Sequence, residues 1–200
     1  ARTAAELVAE ADTGADPVIA DARQAAETLS RRADGIMHFV ESYREITRPP
    51  QIARKRVPAG PFAAELAQLF KADIKWDGVM LAVEVLPETH AIDADPDLLA
   101  QVVINLLRNA AEAAAGHADI PRVALRVAAL RSGRTQISVT DNGPGVPEAL
   151  RKDIFLPFLT TRKSGTGVGL SFARQVVLAH EGTIDVTAAP EGGALFTVII

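Results

Sequence analysis

The sequence has 200 residues, of which 48% are hydrophobic and 23% are charged, and its formal net charge is -4 at pH 7. This composition excludes a disordered or membrane-embedded chain, and the acidic balance argues against nucleic acid as a partner, since proteins that bind it carry a basic face. The absence of cysteine excludes disulfides and thiolate metal sites and favours a cytoplasmic location.

Residues 1–48 are predicted to form a helical hairpin. Residues 1–12 are alanine-rich and favour helix, and a turn follows over 13–17. From Ala22 to Tyr43 the apolar residues recur with gaps of four and three, which is a heptad seam. The seam fits a dimerisation stem and equally a long helix on its own domain. The chain starts inside a predicted helix without methionine, so we expect a piece of a longer protein, with no membrane contact by these residues.

A second domain is predicted to follow a proline-containing linker over 49–60. From Pro61 helices and strands alternate, which indicates an α/β architecture around one sheet. We predict a helix over 62–70 and a half-buried strand over 79–85. Asp95 and Pro96 are suited to the N-cap and first turn of a long helix that ends near Gly116.

The rest of this domain alternates in the same way. A strand hairpin is predicted over 121–140, with its turn at 131–134. A region rich in glycine and proline follows over 141–167 and leads into a helix over 168–180. Two final strands are predicted over 183–188 and 194–200.

The long helix carries a polar stripe beside its apolar face. Gln101, Asn105 and Asn109 are four residues apart, and Glu112 lies three residues further on, so the four side chains share one side of the helix. Amide oxygens are hard ligands suited to Mg²⁺. On this helix alone the stripe fits a solvated helix face better than a metal site.

Two glycine-containing segments flank the predicted loop region. Asp141 directly follows a strand and precedes Gly143 and Gly145, so its carboxylate is placed to accept a hydrogen bond from an adenine amine. The same pattern is also typical of an ordinary turn. Three alternate glycines over 165–169 lead into a helix, where backbone N–H groups can bind phosphate. Taken singly, each pattern leaves both readings open.

Four segments resemble, in chain order, the N, G1, F and G2 boxes of the histidine-kinase catalytic domain, an ATPase fold shared with gyrase: NLLRNAAEA, DNGPGVP, IFLPFLTTRK and GTGVGLSFARQVV. The resemblance covers 61–200, and LSRRADGIMHFVESYREITRPP is similar to the second stem helix of the nitrogen-regulation branch. It implies a two-layer α/β (α+β) sandwich with a mixed sheet packed under helices. A flexible ATP lid over about 156–168 and a preceding helical hairpin stem are also implied.

The resemblance further implies a site for ATP and Mg²⁺. Asn109, together with Asn105, would bind and orient the metal for catalysis, and Asp141 would read the adenine amine. Gly143 and Gly145 would admit the base. Phe155 and Phe158 would be buried and would position the lid. The other nucleotide-binding residues that it implies are Thr161, Arg162, Lys163, Gly165, Thr166, Gly167, Val168, Gly169 and Leu170.

The implied activity is transfer of the ATP γ-phosphoryl group to a histidine upstream of residue 1, and then to the receiver domain of a response regulator, in a homodimer formed through the stem. None of the four histidines, His38, His90, His117 and His180, stands in a matching motif. We therefore expect all four to be structural or exposed, and this chain to be unable to phosphorylate itself.

Two positions depart from the family pattern. Glu112 stands where many members carry a basic residue near the phosphates, so Arg108, Arg162 and Lys163 are the candidates for that role. Ala194 stands where threonine is common.

Two other functions were weighed against this one. The first is ATP hydrolysis of the gyrase or mismatch-repair type, which uses a glutamate base where Asn105 stands, and a neutral amide cannot deprotonate water. The second is a docking module in which ATP only orders the lid.

Overall fold

The structure, a computed structural model, describes residues 50–73, 76, 78–88, 90–160 and 167–200. The predicted stem over 1–48, including its heptad seam and His38, lies outside these residues. So do five residues assigned to the lid and the glycine-rich segment, namely Thr161, Arg162, Lys163, Gly165 and Thr166.

Seven strands lie in the described part of the chain: β1 (Lys55–Pro58), β2 (Met80–Leu86), β3 (Ala91–Ala94), β4 (Arg122–Ala129), β5 (Thr135–Asp141), β6 (Thr183–Ala188) and β7 (Ala194–Ile199). Five of them form a sheet in the order β2-β4-β5-β7-β6, and β1 pairs with β3 as a separate ribbon. Strand β2 runs parallel to β4, whereas the other neighbours in the large sheet are antiparallel. The predicted mixed sheet is therefore confirmed.

Three helices pack against the sheet, and they are α1 (Ala59–Ala72), α2 (Pro96–Ala115) and α3 (Gly169–Ala179). Helix α1 contacts β2 and β4, α2 contacts β4 and β5, and α3 contacts α2 and β6. The predicted two-layer architecture is confirmed. None of the described helices is both long and apolar enough to cross a bilayer.

The core lies between these two layers. Leu99, Leu106 and Leu107 of α2 are almost fully buried, and they meet a sheet face on which every second residue of β4 is buried. Burial of one such leucine side chain contributes roughly 1.5–3 kcal/mol. Because α2 packs against the sheet along this whole face, the backbone positions that carry its polar stripe are fixed.

Asp95 caps the N-terminus of α2, as predicted. Its Oδ1 accepts hydrogen bonds from the N–H groups of Asp97 and Leu98, both over 3.2 Å, and its Oδ2 accepts one from the Ala53 N–H over 2.9 Å. Burial opposes the charge on this carboxylate, but the three hydrogen bonds outweigh it and hold the pKa of Asp95 below its usual range.

Residues 53 and 54, which precede β1, make hydrogen bonds to the N-cap of α2 and to the C-cap of α3. In addition to the Ala53 bond to Asp95, Arg54 Nη2 donates to the His180 carbonyl oxygen over 2.9 Å. Arg54 also lies 3.6 Å from the Asp93 carboxylate and 3.8 Å from that of Glu181. These contacts make residues 53–54 part of the folded domain.

The linker prediction over 49–60 is therefore wrong at its C-terminal end, where β1 and the first residues of α1 lie. Strand β1 has a single aliphatic residue, Val57, beside Pro58, and it becomes a strand because it pairs with β3. Strand β3, also missed, is equally short. Neither strand shows the alternation that marks a strand in sequence.

Candidate functional site

A cavity of about 610 Å³ lies between α2, the N-terminus of α3 and the segment after β5. Its volume is in the range of small-molecule sites. Its lining residues are Asn105, Asn109, Glu112, Ala113, Gly116, His117, Asp141, Pro144, Gly145, Val146, Leu150, Ile154, Leu159, Thr160, Gly167, Gly169, Leu170, Ala194 and Phe196.

Helix α2 supplies the polar stripe along one wall of the cavity. Asn105, Asn109 and Glu112 all line it, as the helical spacing predicted. Gln101, one turn earlier, is exposed and lies outside the lining. The Asn105 Nδ2 is buried and has no hydrogen-bond partner in the described part of the chain. Such an amide requires a partner from a bound group or from ordered water.

Asp141 forms the cavity wall at the end of β5. Its side chain is buried, and its Oδ1 accepts hydrogen bonds from the Gly143 N–H over 2.8 Å and from the Ala194 N–H over 3.2 Å. The pairing of β5 with β7 brings Ala194 to this point. The backbone thus fixes one carboxylate oxygen in place and orients the whole group.

The two glycines after Asp141 have different surroundings. Gly145 lines the cavity with a φ of +76°, and a Cβ there would lie 2.9 Å from the Gly193 carbonyl oxygen. Gly143 lies outside the lining, and its Cβ would lie 2.8 Å from the Ala113 carbonyl carbon. The close approach of this turn to α2 therefore requires Gly143, and the prediction that Gly143 itself admits a base is not supported.

The described end of the glycine-rich segment closes against α2 and the preceding loop. A Cβ on Gly169 would overlap the Asn105 amide oxygen, and one on Gly167 would lie 2.6 Å from the Phe158 carbonyl carbon. Helix α3 begins at Gly169, and the N-cap residue Val168 provides no side-chain cap. The first N–H groups of a helix lack intrahelical partners and attract anions. Leu170 also lines the cavity, whereas Val168 is buried outside it.

The two phenylalanines expected to be buried lie in different environments. Phe155 is buried in the core, and the Arg174 guanidinium carbon lies 6.0 Å from its ring centroid. Phe158 is 43% exposed, so the prediction of its burial is wrong. Its backbone has a φ of +64°, and its N–H donates to the Gly167 carbonyl oxygen over 2.9 Å. This backbone pairing, rather than burial of the ring, joins the two described ends of the lid.

The described histidines and Arg108 take positions that the motifs did not specify. His180 is buried, and His90 Nε2 lies 2.8 Å from Thr135 Oγ1. His117 is exposed on the cavity rim. Arg108 points away from the cavity, with Nη2 3.5 Å from Asp73 Oδ2. Arg108 therefore lies outside the cavity lining.

Several lining residues were missed, among them Ala113, His117 and the apolar residues of the segment after β5. Ala113 and His117 are four and eight residues after Asn109, so extending the helical spacing past the end of α2 would have found them. Leu150 and Ile154 lie in two single-turn 3-10 helices, Glu148–Leu150 and Asp153–Phe155, and Leu159 lies in the loop after them. No periodicity indicates which side chains of this segment face the cavity.

The sequence model of the histidine kinase-, DNA gyrase B- and HSP90-like ATPases matches residues 94–200 of this chain, which is more than half of it. The chain belongs to this ATPase family. The match includes α2, the turn after Asp141 and the N-terminus of α3, which are the three parts that enclose the cavity.

Curated members of the ATPase family similar to this chain include sensor kinases. The sensor histidine kinase ZraS of Klebsiella oxytoca is 35% identical over 181 residues, which is 90% of this chain and 38% of that protein. The sensory histidine kinase/phosphatase NtrB of Rhodobacter capsulatus is 33% identical over 179 residues, 84% of this chain and 49% of that protein. The match to NtrB agrees with the expected nitrogen-regulation branch. The chain thus spans between about two fifths and one half of these two proteins.

A solved member of the ATPase family has the same fold. The catalytic domain of the histidine kinase ThkA, in a nucleotide-free form, is 29% identical and superposes with a TM-score of 0.66. The superposition covers 74% of this chain and 95% of that domain.

Proposed function

We propose that this chain is the ATP-binding catalytic part of a two-component sensor histidine kinase. The observation that carries the proposal is the cavity itself, which has a buried carboxylate at one end and the uncapped N-terminus of α3 with two asparagine amides at the other. A purine that carries an exocyclic amine and a chain of phosphates has matching chemistry at its two ends. Family membership and the similarity to sensor kinases support the same assignment.

At the base end, the Asp141 carboxylate accepts a hydrogen bond from the exocyclic amine of adenine. Its carboxylate is buried and oriented by two backbone N–H groups, so little reorganisation is needed when the base binds. At the phosphate end, the first N–H groups of α3 attract the negative charge. Gly167 and Gly169 keep the backbone close to that end because they lack side chains.

Mg²⁺ fits the donor groups at the phosphate end. The amides of Asn105 and Asn109 supply neutral oxygens, which Mg²⁺ binds alongside phosphates and water. The unpartnered Asn105 Nδ2 is a donor that would bind a phosphate oxygen rather than the metal. The described lining holds the carboxylates of Glu112 and Asp141 and no lysine or arginine. When bound, Mg²⁺ would neutralise negative charge on the phosphates, for which the described lining supplies no cationic side chain.

Phosphoryl transfer requires positioning and charge neutralisation more than covalent chemistry from the protein. In this proposal the cavity holds the nucleotide, and the γ-phosphoryl passes to a histidine outside the present sequence and then to a response regulator. Residues 1–48 form the dimerisation stem, the linker is confined to the residues before Ala53, and the ATP-binding domain includes β1 and extends to residue 200. The location that we propose is cytoplasmic.

Calorimetric titration with a non-hydrolysable ATP analogue, with and without Mg²⁺, tests this proposal. Asp141→Asn is the informative variant, because an asparagine oxygen can still accept the Gly143 and Ala194 N–H groups while the acceptor for the amine is lost. We expect binding to weaken by about 1.5–3 kcal/mol, roughly 10- to 150-fold. Asn109→Ala is expected to remove the Mg²⁺-dependent part of the affinity, and the exposed Asp119→Asn serves as the charge-matched control.

Two results would contradict the proposal. If the unchanged chain binds no nucleotide at either metal condition, the cavity is not an ATP site. If Asp141→Asn and Asp119→Asn bind equally well, the base is read elsewhere.

A further inference from the structure

Helix α2 runs along the cavity and makes a different contact at each of the two cavity ends. Asn105 meets Gly169 at the N-terminus of α3, whereas Ala113 meets Gly143 in the turn that Asp141 begins. These contacts are eight residues apart along the helix, about 12 Å at 1.5 Å per residue. A group that lies beyond Ala113 is therefore close to the Asp141 end and far from the phosphate end.

His117 occupies that position. It lies four residues after Ala113, just past the last residue of α2, and its N–H donates to the Ala114 carbonyl oxygen over 3.1 Å, so the helical turn continues to this point. It lines the cavity and is exposed. Of the two aromatic side chains in the described lining, Phe196 is buried in the core, which leaves the imidazole of His117 as the accessible aromatic ring.

His117 has no evident role in folding. No hydrogen bond or ion pair joins its imidazole to any other described residue, in contrast to His90 and His180. An exposed ring at the mouth of a cavity is available to a ligand.

We propose that His117 packs its imidazole ring against the base of the bound nucleotide and so helps to select ligands that carry a base. This inference rests on the proposed nucleotide binding and adds a specificity residue to it. Ring-on-base contacts stabilise complexes with little dependence on the hydrogen-bonding edge of the base. The contact would increase affinity for the base and leave affinity for the phosphates unchanged, because His117 lies beyond Ala113, which is itself about 12 Å along α2 from Asn105 at the phosphate end.

The test compares two ligands on the full 200-residue chain by calorimetry in Mg²⁺, one with a base and one without. The ligands are a non-hydrolysable ATP analogue and inorganic triphosphate. For His117→Ala we expect about fivefold weaker binding of the ATP analogue, the factor that corresponds to roughly 1 kcal/mol, and unchanged binding of triphosphate. His117→Phe, which keeps a ring, should restore affinity to within about twofold, whereas His117→Gln should not.

Ile120→Ala is the matched control, because Ile120 is exposed in the same connection and lies outside the cavity lining. Unchanged binding of the ATP analogue by His117→Ala overturns the inference, and so does equal weakening for both ligands or rescue by glutamine rather than phenylalanine. Failure of the unchanged chain to bind the ATP analogue refutes the proposed function and this inference with it. Melting temperatures of the variants, expected to match that of the unchanged chain, exclude loss of folding as the cause.

Discussion

His180 joins the two helices that frame the cavity. Its ring is 2% exposed, its Nε2 accepts the Asp95 N–H over 2.9 Å, and its Nδ1 donates to the Val176 carbonyl oxygen over 2.8 Å. The imidazole thus links the N-cap of α2 to the last turn of α3. His180 is therefore a structural residue, in agreement with the absence of a phosphoacceptor motif around it.

Replacing His180 by alanine should destabilise the domain by about 2–4 kcal/mol, because the buried Asp95 N–H loses its partner and the buried ring leaves a cavity. Urea unfolding followed by circular dichroism measures the change. The exposed His117→Ala variant is the control and should unfold at the concentration that unfolds the unchanged chain. A loss below about 0.5 kcal/mol for His180→Ala would show that the two helices do not depend on this link.

A substitution at Gly143 distinguishes two reasons for the glycine at this position, which are contact with a bound ligand and close contact with α2. A Cβ there would lie 2.8 Å from the Ala113 backbone, which cannot move without displacing α2. Gly143→Ala should therefore cost about 1–3 kcal/mol of unfolding free energy. Gly60→Ala in α1, where the added Cβ would be 3.8 Å from its nearest neighbour, should be neutral or stabilising. A Gly143→Ala variant of unchanged stability that binds nucleotide poorly would instead support contact with the base.

Helix α2 depends on a single carboxylate at its N-terminus for both its cap and its connection to residue 53. Since the pKa of Asp95 is lowered in the folded state, the unfolded chain takes up this proton first as the pH falls. The stabilisation is complete above the unfolded pKa of about 3.9 and is lost as the pH falls through the folded value.

Asp95→Asn should consequently lower stability by about 1–2 kcal/mol at neutral pH, since asparagine keeps one acceptor for the helix but not the second for Ala53. The difference from the unchanged chain should shrink below about pH 4. Thermal unfolding at a series of pH values measures both effects. A difference that stays constant from pH 7 to pH 3 would contradict the charge-based explanation.

At the element scale, sequence reasoning succeeded where a pattern was local. The apolar spacing of α2, its Asp95-Pro96 start and the alternation in β4 and β5 are all carried by neighbouring residues, and each element was found. Strands β1 and β3 were missed because four residues with one or two aliphatic side chains show no period. Their strand conformation comes from pairing with each other across the intervening helix and strand.

For the candidate site, the motifs identified the cavity walls but not how each residue contributes. Asn105, Asn109 and Asp141 face the cavity as expected. The predicted burial of Phe158 was wrong and the close approach of Gly143 to Ala113 was not foreseen, because a motif records which residue is present and not which neighbour it must accommodate. Such contacts follow only from the folded chain.

Taken as a whole molecule, the chain is expected to bind nucleotide without becoming phosphorylated. Incubation with Mg²⁺ and γ-labelled ATP should leave it unlabelled, since none of its four histidines stands in a phosphoacceptor motif. Addition of a longer chain that contains the stem histidine should allow labelling of that histidine only. Acid-labile label on the 200-residue chain would refute this expectation, and His38→Ala would then show whether His38 carries it.

The last strand in sequence lies inside the large sheet, between β5 and β6, and its first residue donates to Asp141. During synthesis, α2 and β5 therefore leave the ribosome well before the residues that complete the wall beside them. A nascent chain halted before residue 194 would lack an interior strand and one of the two N–H groups that orient the Asp141 carboxylate. We therefore expect nucleotide binding of the proposed kind only in chains long enough to include β7, which supplies Ala194 and Phe196 to the cavity lining.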